Sequence, residues 1–157
     1  MNIKEKDLIL NAGFDAINIV RIGEHRFNRN VIKKIPVELF LYKFLNFPLR
    51  LKYSFISKYF IQKSDKELNV FPTIIPNWDH TPRSGKKGVV FHKSTPELFE
   101  RHVESALEAI KGKTKNRQIL FLKSWNEWGE GNYLEPDLRF GKKYIKMLKK
   151  VISKFTL

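Results

Sequence analysis

The run Gln118-Ile119-Leu120-Phe121-Leu122-Lys123, followed by Ser124-Trp125-Asn126-Glu127-Trp128-Gly129-Glu130-Gly131-Asn132-Tyr133-Leu134-Glu135-Pro136, constrains this chain more than any other stretch. The first part has the apolar, strand-like character of a β-strand, and a helical apolar pattern follows the second, so the intervening residues read as a loop at a strand's C-terminal end. In α/β folds such loops carry the chemistry. Within it Glu127 and Glu130 stand three apart, flanked by Trp125, Trp128 and Tyr133, while Gly129 and Gly131 let the backbone turn tightly. Making or cleaving a glycosidic bond passes through an oxocarbenium-like state. One carboxyl group protonates the leaving oxygen and a second serves as nucleophile, base or electrostatic partner. Aromatic neighbours desolvate a carboxyl group and offer apolar faces to sugar C–H groups. In a helical turn, residues three apart share one side with Cβ atoms about 5–6 Å apart, whereas in an extended strand they diverge, so the loop's conformation decides whether the pair acts together. Two glutamates at this spacing usually mark a solvated helix face. Two Trp and two Gly within the same few residues do not, because exposed Trp is costly and Gly weakens a helix.

Elsewhere the pattern is one of strands and helices in alternation. Lys6 to Ala12 predicts a turn or two of helix ended by Gly13, and Phe14 to Val20 alternates like a strand. Residues 21–66 are basic and aromatic, with 11 Lys/Arg against 3 acids, and Pro36 and Pro48 divide them into short pieces. The plain expectation for this segment is an insertion with aromatics inward and lysines solvated; the sharper one is a grip on an anionic glycan, a nucleic acid or a membrane surface, with Leu39 to Phe60 along a bilayer. Val70 to Ile75 predicts a strand, and Pro76 to Gly85 a loop at its C-terminal end in which Trp78, Asp79, His80 and Arg83 are suited to sugar hydroxyls or a phosphate. Ser94, with Glu97 three residues on and Pro96 between, predicts a helix start with Ser94 as the cap. Phe99, Val103, Ala106, Leu107 and Ile110 keep helical spacing, and so do Tyr144, Leu148, Val151, Ile152 and Phe155. The domain reading is 1–20 as helix end and strand, 21–68 as the basic insertion, and 69–157 as a βαβα core.

The motif from Trp125 to Gly131, continuing through Leu134-Glu135-Pro136 to Arg139-Phe140-Gly141, resembles the signature of the family-99-like glycoside hydrolases. These include WbsX-type glycosyltransferases of bacterial polysaccharide gene clusters and, more distantly, endo-α-1,2-mannosidases. The resemblance is strong from Phe71 to Ile152 and weak around Asn11 to Ile17. It implies that Glu127 assists the sugar 2-hydroxyl as a base, through an anhydro-sugar intermediate, and that Glu130 is the general acid/base. It implies substrate-binding roles for Trp78, Asp79, Arg83, Trp125, Asn126, Trp128, Tyr133 and Glu135. In the earlier loop the family's usual Trp-Asp-Asn-Thr-x-Arg has His80 in place of the Asn, which puts that polar contact in doubt. The implied fold is a (β/α)8 TIM-like barrel of about 250 residues, of which this chain supplies about three strands. The expectation is therefore the C-terminal portion of an α/β barrel: either a truncated form, inactive alone, or a chain that needs an N-terminal barrel half or partner chain to close its sheet.

Composition sets the remaining bounds. The 157 residues can bury one core. Without cysteine there is no disulfide framework or thiolate site, and without an apolar leader or a long apolar run no signal peptide or membrane span is expected, so the expectation is a soluble, cytoplasmic protein. The four histidines show no clustered spacing with carboxylates, so no metal is expected, and no cofactor motif is present. The formal charge of +14 favours polyanions in general, but no zinc-finger, RNP-like or P-loop pattern makes nucleic acid a specific partner. Two readings stand: a carbohydrate-active enzyme, hydrolase or glycosyltransferase, which the resemblance implies acts on α-linked, mannose-like glycans of a bacterial surface polysaccharide, or a non-catalytic glycan- or polyanion-binding module built from the same residues.

Overall fold

A computed structural model describes residues 3–23 and 28–155 of the chain. In order these form α1 (Ile3–Asn11), β1 (Ile17–Ile19), α2 (Arg29–Ile32), α3 (Pro36–Phe44), β2 (Leu49–Lys52), α4 (Tyr53–Ile56), β3 (Val70–Ile74) and β4 (Trp78–Asp79). They continue with α5 (Thr81–Ser84), β5 (Val89–His92), α6 (Pro96–Ile110), β6 (Phe121–Leu122), β7 (Asn126–Glu127), β8 (Asn132–Tyr133) and α7 (Lys143–Phe155). Residues 24–27 of the basic segment lie outside the described residues.

The apolar run at 70–74 becomes the central strand of a parallel sheet ordered β1-β3-β6, and all five of its residues are buried, as expected for a strand covered on both faces. Ile17 pairs with Val70 on one side and Thr73 with Phe121 on the other. The strongly apolar run at 118–123 is therefore only briefly a strand. Ile119 and Phe121 are exposed on the sheet's edge.

The expected barrel portion is not what forms. The described residues make three separate sheets, of three, three and two strands, and none closes or curls into a barrel. The reason lies just after β3. Pro76 and Asn77 turn the chain, so that β4 pairs antiparallel with β5, and β5 takes β2 as its parallel neighbour in a second sheet ordered β2-β5-β4. Strands that one ring would need are thus divided between two ladders. The Leu49-Arg50-Leu51-Lys52 alternation of β2 sits inside the basic segment, with its leucines buried and its cations exposed.

Two cores result. One lies beneath the second sheet, where Leu49, Leu51, Tyr53, Ile56 and Phe60 pack with Ile75, Trp78, Val89 and Phe91. The other joins β3 to α6 and α7 through Ile74, Phe99, Val103, Leu107, Ile110, Tyr144 and Val151. Helix α6 starts with Pro96 in its first turn, but the cap is Thr95, whose hydroxyl accepts from the Leu98 N–H at 3.3 Å. Ser94, the residue expected to cap, is buried and donates instead to the Pro76 carbonyl at 2.5 Å. Because that uses its one proton, the 2.8 Å contact with Tyr144 has the Tyr144 hydroxyl as donor. Burial pushes the Tyr144 phenol up to about 12, so it keeps the proton it donates. A buried ion pair, Arg21 to Asp65 at 2.7 Å, fixes the turn after α4 against the end of β1.

Where β3 leaves its sheet, side chains take over from the ladder. The Ile75 N–H donates to His102 Nε2 at 3.2 Å and the Ile75 carbonyl accepts from the Tyr53 hydroxyl at 2.6 Å. His102 is therefore neutral with its proton on Nδ1, which is buried without a protein partner. Burial lowers its pKa from 6.5 to about 3. Between those values the unfolded chain binds a proton that the native chain refuses. This contribution to stability is thus complete above pH 6.5 and is lost as the pH falls towards 3. Thermal melts at constant ionic strength, taken below about pH 6.5 but above the carboxylate range, should show stability falling by up to about 1.4 kcal/mol per pH unit. His102→Gln should flatten that slope, and an unchanged slope in the variant would show that the acid sensitivity originates elsewhere.

Candidate active site

The motif loop after β6 is a hairpin. β7 and β8 pair antiparallel with Asn126 opposite Tyr133 and Glu127 opposite Asn132. Residues Trp128 to Glu130 make one 3-10 turn between them, and Gly131 closes it in the left-handed region at φ 48°. Such a turn brings positions three apart to one side, and here both glutamates meet the same cation. Arg83 donates from Nη2 to Glu127 Oε1 at 2.9 Å and from Nη1 to Glu130 Oε1 at 3.3 Å. Lys123 donates to the other oxygen of Glu130 at 3.2 Å, and His80 Nε2 stands 3.7 Å from Oε1. Glu130 is the more enclosed of the two, with its side chain 14% exposed against 37% for Glu127.

The hairpin is held by polar contacts at its base. Asn132 is fully buried and donates to the carbonyls of Asn77 and Lys123 at 2.7 and 2.9 Å. Asn77 spans the Tyr133 backbone, accepting from its N–H at 2.8 Å and donating to its carbonyl at 3.1 Å. Ser124, joined to Lys123 by a cis peptide, donates to the Asn132 carbonyl at 2.5 Å and accepts from the Glu127 N–H at 3.1 Å. The loops after β3 and β6 are thereby locked into one unit.

The other residues singled out from the sequence fall into distinct places. Trp128 stacks on Tyr133 with ring centroids 3.8 Å apart and an angle of 16°, and its indole N–H donates to Glu135 Oε2 at 2.8 Å. About half of Trp128 remains exposed, as does Trp125, so both can offer a face to a ligand. Burial first, and then the Asp137 carboxylate, raise the Tyr133 phenol above its ordinary value, so it is a neutral hydroxyl at neutral pH. Asn126 is exposed on β7. Trp78 and Asp79 do not join the carboxylate cluster directly. Trp78 is buried, stacked on His80 at 5.6 Å with Lys123 Nζ 5.4 Å over its ring. Asp79 holds the start of α5, accepting from the N–H and hydroxyl of Thr81 at 2.9 and 2.5 Å. His80 contacts Ser84 through Nδ1 at 2.9 Å, which orients the other nitrogen towards Glu130. The residues missed in the sequence are Lys123, Asn77, Asn132 and Ser124. Their signal was position alone: Asn77, Lys123 and Ser124 follow the two strands that bear the loops, and Asn132 lies within the motif hairpin. Among the described residues no group of three His, Cys, Asp or Glu is placed to hold a metal.

Two carboxylates bridged by one guanidinium, beside an exposed aromatic stack at the end of a parallel sheet, make an arrangement suited to sugar chemistry. The chain belongs to the WbsX glycosyltransferase family, whose model matches residues 2–148. That match takes in the basic, aromatic segment as well as both loops and is not confined to a C-terminal part. The chain is also similar to the uncharacterised protein WxcX of Xanthomonas campestris pv. campestris, in strain B100 and in a second strain. Each is 24% identical over 94 residues, covering 59% of this chain and 14% of the relative. The chain thus aligns with a small part of these longer proteins. No solved structure matches it significantly.

Gly131 tests how tightly the hairpin is seated. A Cβ there would lie 2.7 Å from Asp79 Cβ and 3.1 Å from the Asp79 nitrogen, on top of an unfavourable φ. Gly129 meets only the movable ends of Glu127 and Arg83, at 3.2 and 3.3 Å. Gly131→Ala should therefore destabilise by about 1–3 kcal/mol, and Gly129→Ala by clearly less. Denaturant melts of the two variants side by side check the order, and equal losses would mean that the close approach to Asp79 does not hold the hairpin.

Proposed function

We propose that this chain carries the acid–base end of a site acting on α-linked, mannose-like glycans of a bacterial surface polysaccharide. The observation behind this reading is that Glu127 and Glu130 converge on Arg83 beside the Trp128–Tyr133 stack. In the reading that the family resemblance implies, Glu127 draws the proton from the sugar 2-hydroxyl as its oxygen closes on C1. Glu130 gives a proton to the departing oxygen and then takes one from the incoming hydroxyl, whose oxygen bonds to C1 as the C1–O2 bond breaks and Glu127 returns its proton to O2. An incoming sugar hydroxyl gives transfer and an incoming water gives hydrolysis; the same two carboxylates serve either. Arg83 is half exposed and joins a flexible side chain to the pair, so a substrate can displace it from Glu130 while it stays near Glu127. Trp125 and Trp128 supply the faces against which sugar C–H groups pack, with Asn126, Tyr133 and Glu135 at their edges.

A second reading, a non-catalytic glycan- or polyanion-binding module, draws on the same ion pairs. Both carboxylates already have cationic partners, with Arg83 facing both and Lys123 facing Glu130. Turnover of a synthetic α-linked mannose disaccharide, with product analysis and parallel binding by NMR, separates the two. Under the catalytic reading Glu130→Gln lowers turnover by about 100-fold or more with binding retained, the range expected for loss of a general acid/base. Undiminished turnover in the variant removes Glu130 from the chemistry. Binding that is strong, salt-sensitive and indifferent to Glu127→Gln and Glu130→Gln together, with no turnover in the parent chain, favours the module.

A further inference from the structure

Helix α3 has two apolar faces, and only one of them is used. Leu39 and Tyr42 pack against the core beneath the second sheet, and the Tyr42 hydroxyl donates to the Lys87 carbonyl at 3.4 Å. No residue of the helix is buried. Val37, Phe40, Leu41 and Phe44 follow one another at the i, i+3, i+4, i+7 spacing of a single helical stripe, and all are exposed. Leu45 and Phe47 extend the patch beyond the helix, with Phe44 73% and Phe47 59% exposed. Phe40 and Phe44 lie against each other at 5.1 Å, so the patch is continuous and aromatic. Contiguous apolar surface of this kind marks a docking site.

The charges around it select the partner. Between residues 28 and 52 stand Arg29, Lys33, Lys34, Lys43, Arg50 and Lys52, all exposed, against the single acid Glu38. Lys86 and Lys87, in the turn that Tyr42 touches, are exposed as well. A second copy of this chain would bring the same cations face to face, and the formal charge of +14 opposes that approach at longer range. A soluble polyanion would satisfy the lysines and leave the phenylalanines in water. A surface of anionic lipid satisfies both, with headgroup phosphates for the cations and the headgroup–acyl boundary for the rings. Nine residues is too short to cross a bilayer, and among the described residues no helix is long and apolar enough to do so, so the segment would lie in the interface plane. We propose that α3 and the following loop to Phe47 dock this protein on an anionic membrane surface. Docking there would set the face of the bilayer a few residues from Arg83, since the turn at Gly85–Lys87 directly follows α5.

The test is co-sedimentation of the 157-residue chain with vesicles of phosphatidylglycerol and phosphatidylcholine, and with phosphatidylcholine alone. Binding is expected to require the anionic lipid and to weaken by at least about tenfold when Phe40→Asp and Phe44→Asp are combined, because both rings leave the boundary. Circular dichroism checks that the double variant keeps its helices. A Phe44→Trp variant should add blue-shifted emission that brominated lipid chains quench. Three results would overturn the proposal. The first is no binding to anionic vesicles. The second is salt-sensitive binding that the double variant retains in full, which assigns the surface to polyanions in general. The third is a concentration-dependent dimer in sedimentation velocity that the double variant abolishes, which assigns it to a second copy.

Discussion

The structure depends on how the chain leaves β3. Buried backbone groups must find hydrogen-bond partners, and at Ile75–Pro76–Asn77 the sheet no longer supplies them. Four separate segments do: Tyr53 from α4, His102 from α6, Ser94 from the loop before α6, and Asn132 from the motif hairpin. Each of these bonds is long-range in sequence, so none can form until its segment has docked. The site is built on this junction, because the loop that follows carries Arg83 and the hairpin that closes over it carries both glutamates. Apolar burial supplies most of the cohesion, but these directional contacts decide where the loops point.

That dependence explains the electrostatics of the site. Glu130 lies where the hairpin meets the β3 exit, with one oxygen facing Lys123 at the end of β6 and the other facing Arg83 and His80 from the loop after β4. Its partners come from two pieces of chain, which Asn77 and Asn132 help hold together. Glu127, further out on β7, has Arg83 as its cationic partner and more contact with solvent. The two carboxylates are chemically identical residues placed in unlike surroundings, one enclosed among several donors and the other more open to solvent. Exposed ion pairs contribute little to stability. The Arg83 bridge is therefore better understood as an arrangement of charge than as a brace.

Local patterns were legible in the sequence and long-range ones were not. The apolar run at 70–75 and the spacings at 99–110 and 144–155 report their own periodicity, and all three elements form. The motif loop stood out in the sequence because Trp, Gly and Glu at such density suit no bland element. Its turn could not be read, since the Gly131 conformation depends on the backbone of Asp79, some fifty residues earlier. Ser94 and Thr95 are both competent caps, and what separates them is the Pro76 carbonyl waiting for one of the two hydroxyls. The second sheet was hidden because β2 is four residues of alternating leucine and cation within a basic segment, and β4 is only two residues long. The barrel expectation came from resemblance, and resemblance does not report the turn at Pro76–Asn77 that sends β4 to a different ladder.

The basic segment and the motif hairpin are far apart in sequence, yet one short sheet connects them. β2 is anchored in the first core through Leu49 and Leu51 and pairs along its whole length with β5. β5 holds β4 by two residues, Trp78 opposite Phe91 and Asp79 opposite Val90. Asp79 in turn lies against Gly131, which closes the turn that carries Glu130. A displacement of β2 would therefore reach the glutamates through two rigid ladders and one close backbone contact, a path with little slack because sheets and packed cores are stiff. The antiparallel pairing at β4 is the thinnest part of that path. The position of the segment from Leu49 to Phe60 is thus a condition for the geometry of the site, even though none of its residues touches either carboxylate.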